Sequence, residues 1–417
     1  MKQTTKFDKA LLFIYALSLF FNNYCYLVWP TFNSVVSIAF KSIPYAITFF
    51  ILIYFFVVKG KSFILSFSAV SMIVLGIVLT IHINYFGFLF SSTFSYGDFL
   101  NVFAIITLFL LNKEHRAIII NYFIKLFVVL CLPGLFYYLL NVIGIQLPYT
   151  VLSSGHDVKQ YTVTYMHYPL GVVLRDLDTG IVRYCGIFDE PGFLGTVAGL
   201  LFAISFKRMN KGWSIILLVE GLFTFSFAFF AIIAIFFLLY YLLSNRKVFF
   251  VLLFSLVIVV LIVANTTFSS PILVSIQEKL SFSNSRMSNE FKMIFDSFVS
   301  QGGYPLYMGN GFEAANKMVK LATSFSFEML IYDYGIIGTT LFLLFFTFGI
   351  IGGNHKLKSV IPFFVTFMAS IYQRPYVFNI QFISLFICAI AFLDLKCEIS
   401  SKKQFVTGKN TELVLDA

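Results

Sequence analysis

Apolar stretches of helix length alternate with short polar breaks along almost the whole chain. They fall near 10–29, 42–58, 62–82, 98–111, 117–143, 187–206, 213–227, 228–243, 248–265, 326–350, 359–372 and 376–393. Runs of this length suit hydrocarbon-spanning helices rather than strands. The pattern predicts an all-α polytopic membrane protein of about twelve transmembrane helices, one membrane domain over 1–395 and a polar tail over 396–417. The least regular stretch is 213–243, between the basic breaks KRMNK and SNRK. As one helix it would span about 47 Å, too long for a hydrocarbon core of about 30 Å. It therefore reads as two short or broken segments. Glu220 lies inside it, and its plainest reading is a charge near a helix end, paired locally.

Two polar intervals exceed turn length, about 144–186 and about 266–325. Intervals this long carry function or are disordered. Both contain aromatic and periodic apolar residues, which favours structure. Met287, Phe291, Ile294, Phe295 and Phe298 recur at three- and four-residue spacing. They predict an amphipathic helix over 286–299 on the membrane surface or on the protein. Gln301-Gly-Gly-Tyr-Pro305 ends it with helix breakers.

Composition agrees with the pattern. The chain of 417 residues is 59% hydrophobic and 12% charged, with a mean hydropathy of +0.90. Soluble domains carry about 25% charged residues. The net charge of +10 would point to nucleic acid in a soluble protein. Here an N-terminus inside puts Lys2, Lys6, Lys9, Lys59, Lys61, Lys113, Arg116, Lys207, Arg208, Lys211, Arg246, Lys247, Lys356 and Lys358 in inner loops, with the tail lysines. The short outer connection 83–97 and the turn near 227 hold no Lys or Arg. This positive-inside pattern absorbs the charge without a nucleic acid and puts both termini in the cytoplasm. Both long intervals then lie on the outer face. The first apolar run exceeds a signal-peptide core and has no small-residue cleavage site, so it reads as an uncleaved first helix.

Cys25, Cys131, Cys185, Cys388 and Cys397 show no CxxC pattern, and the five histidines no HExxH. Nothing points to a metal or another cofactor. The charged outer residues are more informative. Arg175, Arg183, Arg286 and Arg374 supply planar, permanently charged forks suited to phosphate oxygens. Glu190, Glu328 and Asp333 lie at or within apolar segments, where charge is costly without a partner or a function. Glu190 is the first candidate for a general base and Glu328 the second. The bland alternative is that each pairs with an outer arginine to hold the loops. His156 and His167 are weaker candidates. Gly309-Asn-Gly311 lacks the full dinucleotide fingerprint and its strand–turn–helix setting, so it is not read as a nucleotide site.

Three stretches resemble one family. Arg183-Tyr-Cys-Gly-Ile-Phe-Asp-Glu-Pro191 looks like an Arg-x-x-Gly-x-Phe-x-x-Pro/Asn start to a middle helix. Ser285-Arg286 through Met308-Gly-Asn-Gly311 gives an arginine, an amphipathic helix and a Gly-x-Gly. Ser324 through Tyr334-Gly-Ile-Ile-Gly338 resembles the start of a late helix. Arg175 with Gly186 adds a looser arginine–glycine spacing. Together with the helix number and the two outer intervals, these resemble the bacterial O-antigen and capsule repeat-unit polymerases, in the superfamily that includes the O-antigen ligases. The resemblance implies an inverting, metal-independent membrane glycosyltransferase. It would join oligosaccharides carried on undecaprenyl diphosphate at the outer face of the plasma membrane, beside a flippase and a chain-length regulator. Arg183 and Arg286, with Arg175, would hold diphosphate. The resemblance to ligases would place a histidine near Ser324, but no histidine occurs between 168 and 354, which favours a polymerase. The alternatives are a flippase or other transporter of the same lipid-linked sugars, and a ligase. A transporter would show repeat halves and a midplane site, and no such halves are seen in the sequence.

Overall fold

The computed structural model describes residues 4–22, 34–60, 66–86, 96–152, 163–177, 180–188, 190–265, 289–311, 314–315, 327–351, 357–374 and 378–395. The tail over 396–417 lies outside them, as do Arg286, Ser324, His156 and Asp189. A helix lies in each of the predicted apolar stretches. The first five are α1 (Lys6–Ser18), α2 (Ser34–Ile53), α3 (Phe67–Ile81), α4 (Tyr96–Leu110) and α5 (Lys113–Val142). Single π-helical turns, Tyr54–Val58 and His82–Phe86, extend α2 and α3. After a sheet come α6 (Pro191–Ser205), α7 (Lys211–Leu222), α8 (Phe227–Ser244) and α9 (Arg246–Asn265). The remainder are α10 (Asn289–Gln301), α11 (Gly303–Met308), α12 (Phe327–Ile351), α13 (Leu357–Gln373) and α14 (Ile380–Leu395).

Among the described residues, five helical stretches are long and apolar enough to cross a membrane: Ile38–Val58, Phe67–Tyr85, Lys113–Val142, Phe227–Ser244 and Phe327–Ile351. Gly97–Leu110, Pro191–Ser205, Lys358–Tyr372 and Ile380–Leu395 are apolar but shorter. The stretch 213–243 does break, at Phe223–Ser226, where Phe225 takes a left-handed φ of 47°. The exposed surface suits lipid. On α9, Phe250 and Phe254 are 64% and 70% exposed.

Polar contacts at one end of the bundle follow the charge pattern. Thr5 and Asp8 form a capping box on α1, and Asp8 also meets Lys59 Nζ at 3.4 Å and the Tyr54 hydroxyl at 2.9 Å. Lys113 Nζ lies 3.6 Å from Asp394. Phe55 packs on His115 with ring centroids 5.0 Å apart. These contacts gather the N-terminal ends of α1 and α5 with the C-terminal ends of α2 and α14.

The first long interval departs from a purely helical fold. It forms an antiparallel meander of β1 (Thr150–Leu152), β2 (Val163–Tyr168), β3 (Gly171–Asp176) and β4 (Val182–Gly186), in that order. Period-two alternation divides the side chains between two faces. Met166, Tyr168, Val173 and Tyr184 join the main core, while Tyr165, Val172, Leu174 and Cys185 form a small cluster on the other face. The sheet sits on the C-terminal half of α5 because glycines meet there. A Cβ on Gly171 would lie 2.6 Å from Gly134 Cα, and one on Gly134 would lie 3.0 Å from Gly186 Cα. Tyr137 and Tyr168 stack at 4.6 Å, and the Tyr184 hydroxyl donates to Cys131 O at 2.7 Å.

The second long interval contains the expected amphipathic helix, observed as α10. Its Phe291 and Phe298 are buried with Ala315, Met329 and Tyr332. The Gly-x-Gly is a backbone crossing. Asn310 N donates to Tyr332 O at 3.0 Å and Gly311 N to Asp333 O at 2.9 Å. Gly335 interrupts α12 with φ 69° and ψ −179°. The ring Nε2 of His82 lies 2.9 Å from Tyr334 O, which ties this crossing to α3.

Candidate functional site

The site begins on β4. Tyr184 is drawn inward by its bond to α5, so its neighbour Arg183 turns to the opposite face, across from Leu174. The chain then runs through buried Phe188, packed between Phe127 and Phe193 at 5.9 and 5.2 Å, to Glu190. Pro191 opens α6 with its fixed φ, and Glu190 is the extended N-cap residue. The Glu190 side chain makes no capping bond. Its Oε1 instead lies 2.8 Å from Nη2 of Arg374, which directly follows α13.

Arg374 is the more enclosed partner, with its side chain 10% exposed against 42% for Glu190. Its guanidinium carbon sits 5.8 Å from the Phe193 ring centroid, a cation–π contact. Gly192 makes room for it, since a Cβ there would stand 2.6 Å from Nη2. The first turns of α6 and α14 also meet, Phe193 packing edge-on to Phe382 at 6.1 Å.

Arg183 holds the turn between α7 and α8. Its Nε donates to Thr224 O at 3.2 Å, while Tyr184 N donates to Phe223 O at 3.3 Å. No described partner bonds its Nη groups. Burial pushes its guanidinium pKa below the ordinary value, and the nearby Cys185, Glu190 and Asp176 act in the opposite direction. Glycines on one face of α6 bring the turn close. A Cβ on Gly195 would lie 2.8 Å from Thr224 Oγ1, and one on Gly199 would lie 2.7 Å from Ile232. Three pieces distant in sequence therefore meet here: the β4–α6 junction, the α7–α8 turn and the end of α13.

Four of the helices that meet here are short, while α8, which starts at the turn, has 18 residues and is long enough to cross a membrane. At 1.5 Å per residue α6 spans about 22 Å, α7 about 18 Å, α13 about 25 Å and α14 about 24 Å, whereas α5 spans about 45 Å.

The structure thus brings Arg183, Glu190 and Arg374 together. Arg175 is exposed on β3 opposite Thr164 and Val182, so its side chain leaves the sheet on the other face from Arg183. Glu328 lies in the first turn of α12, beside Phe327, which stacks on Tyr372 at 5.9 Å. No described contact joins it to Glu190. His167 faces Thr150 across the β1–β2 pair. Among the described residues no three His, Cys, Asp or Glu side chains come together to hold a metal ion. Glu220 differs from its expected local pairing. It is fully buried, and among the described residues neither carboxylate oxygen has a hydrogen-bond partner. Gly192, Phe193 and Thr224 were not singled out from sequence. The repeat of Gly192, Gly195 and Gly199 along one helical face was the available signal.

Comparison with known proteins adds no relative: no family model, no curated protein and no solved structure matches the chain.

Proposed function

We propose that the chain polymerises oligosaccharide repeat units carried on undecaprenyl diphosphate, for an O-antigen, capsule or related surface polysaccharide. The reaction takes place at the outer face of the bacterial plasma membrane, with both termini in the cytoplasm. The observation that carries this reading is the convergence of Arg183, Glu190 and Arg374 at the ends of short helices. Helices of about 18–25 Å end short of a hydrocarbon slab of about 30 Å. Their junction is then recessed, at a depth that suits a lipid-borne diphosphate. The positive end of α6 adds to the pull on an anion.

In this reading Arg183 and Arg374 hold the donor diphosphate, joined by Arg286 from the second outer interval. An acceptor hydroxyl oxygen attacks the anomeric carbon from the side opposite the diphosphate. The new C–O bond forms as the bond to phosphate oxygen breaks. Undecaprenyl diphosphate leaves with the electron pair, and Glu190 takes the hydroxyl proton. The arginines compensate the charge that develops on the leaving group.

A second reading is a transporter of the same lipid-linked sugars. Glu220 favours it, being a buried carboxylate with no hydrogen-bond partner among the described residues, beside a break between two apolar helices. Deleting the gene and sizing lipid-linked and surface glycans separates the cases. Single repeat units in place of a ladder support the polymerase. A full ladder retained on the lipid carrier indicates a ligase, and repeat units held inside the cell indicate a flippase.

A further inference from the structure

We propose that Glu190 stands in for the substrate phosphate before substrate binds. It occupies Arg374 until a diphosphate displaces it, and that displacement frees the carboxylate to act as the base. The inference rests on reading this site as a diphosphate site and adds how it is switched on.

The two partners of the ion pair are held unequally. Arg374 is fixed: 10% exposed, stacked on Phe193 and seated over Gly192, where a Cβ would lie 2.6 Å from its Nη2. Glu190 is the movable partner. Its side chain is 42% exposed, and it is not committed to capping α6. A guanidinium anchored from behind, with a half-exposed carboxylate in front, is a cation whose counter-ion can be exchanged. A diphosphate carries more charge than a carboxylate and offers several oxygens to the same planar fork. Arg183 adds to its hold, since its Nη groups have no described partner while its Nε is fixed on Thr224 O. While Glu190 Oε1 accepts from Arg374, the carboxylate is held against the guanidinium rather than turned toward an acceptor hydroxyl on the far side of the sugar. Binding of the anion and release of the base are therefore one event, and the base is withheld until the donor is in place.

The inference predicts that removing a site carboxylate improves binding. Full-length wild-type protein and its variants in lipid nanodiscs are titrated with undecaprenyl diphosphate and, separately, with inorganic diphosphate. Glu190→Gln should bind undecaprenyl diphosphate on the order of tenfold tighter than wild type, because the site no longer spends most of its time self-occupied. Arg374→Ala should bind more weakly than wild type, and adding Glu190→Gln to it should bring no gain, since the competition needs both partners. Glu190→Asp, which shortens the reach to Arg374, should also bind more tightly and serves if Glu190→Gln does not fold. The same gain with inorganic diphosphate assigns the recognition to phosphate alone, and a gain with the lipid only assigns it to the membrane-borne headgroup. Unchanged or weaker binding in folded Glu190 variants overturns the inference. If those variants show no gain but the gene deletion still leaves single repeat units, the inference fails and the polymerase reading stands. A deletion strain with a normal glycan ladder removes the polymerase reading instead.

Discussion

Gly309 and Gly335 cross backbone to backbone, each at a positive φ, 88° and 69°. A Cβ on Gly309 would overlap Asp333 O, and one on Gly335 would overlap Tyr307 O. Strain and collision act together at both positions. Gly309→Ala and Gly335→Ala should each destabilise the protein by more than about 2 kcal/mol, seen as a fall in the thermal midpoint of purified protein. Unchanged midpoints would show that the crossing is not rigid.

Arg183 grips the α7–α8 turn with Nε, and in the proposed polymerase its Nη groups would also hold an anion. Arg183→Ala should abolish polymer while protein level stays unchanged, as read by immunoblot beside a glycan gel. Arg183→Lys should restore only part of the activity, because a lysine cannot serve Thr224 O and a phosphate together. Normal polymer from Arg183→Ala removes this residue from the diphosphate clamp.

Gly192→Ala should separate activity from stability. The new methyl would meet Arg374 Nη2 at 2.6 Å and Glu190 Oε1 at 3.3 Å, in a helical first turn that otherwise tolerates alanine well. Polymerisation should fall at least about tenfold, as expected when a positioning group is displaced, with the thermal midpoint nearly unchanged. Full activity would mean that the arginine can move aside without consequence.

For Glu190→Gln, single-turnover measurement should show proton transfer slowed by about 100-fold or more, even though the diphosphate binds more tightly. Near-normal turnover ends its assignment as the base.

Glu220→Met should raise stability by about 1–2 kcal/mol, because it replaces a buried carboxyl that makes no hydrogen bond with an apolar group of similar length. A polymerase should keep its product ladder in this variant. A variant that folds but leaves repeat units inside the cell would favour transport.

The helices were legible because each apolar run has helix length and each break carries charge or a turn residue. The pause at Phe223–Ser226 follows from bilayer thickness together with charge, since one helix there would be too long and a single crossing would put the tail lysines outside. The meander over 150–186 carries little strand signal: Val163-Thr-Tyr-Met-His-Tyr168 and Gly171-Val-Val-Leu-Arg-Asp176 are rich in β-branched and aromatic residues but do not alternate at period two. Its turn hides the signal, placing Leu170 rather than glycine or asparagine at a φ of 56°. Within the site, Glu190 and Arg183 stood out because charge beside an apolar run is costly. The pairing of Glu190 with Arg374 depends on how α6 packs against the end of α13, and no local pattern encodes such a long-range contact. The separation of Arg175 from Arg183 follows from strand register, which needs the sheet to be known first.

The bridge between Glu190 and Arg374 spans about 180 residues of chain. During synthesis the sheet can settle on α5 early, since its glycine contacts join neighbouring segments. The ion pair must wait for α13 and Arg374 to be made. A nascent chain therefore carries Glu190 through most of its assembly without Arg374, and any truncation before that helix leaves a half-built site. Only α14 remains to be made once the charge pair is complete, so in the proposed polymerase the chemistry has to wait until nearly the whole helical bundle is assembled.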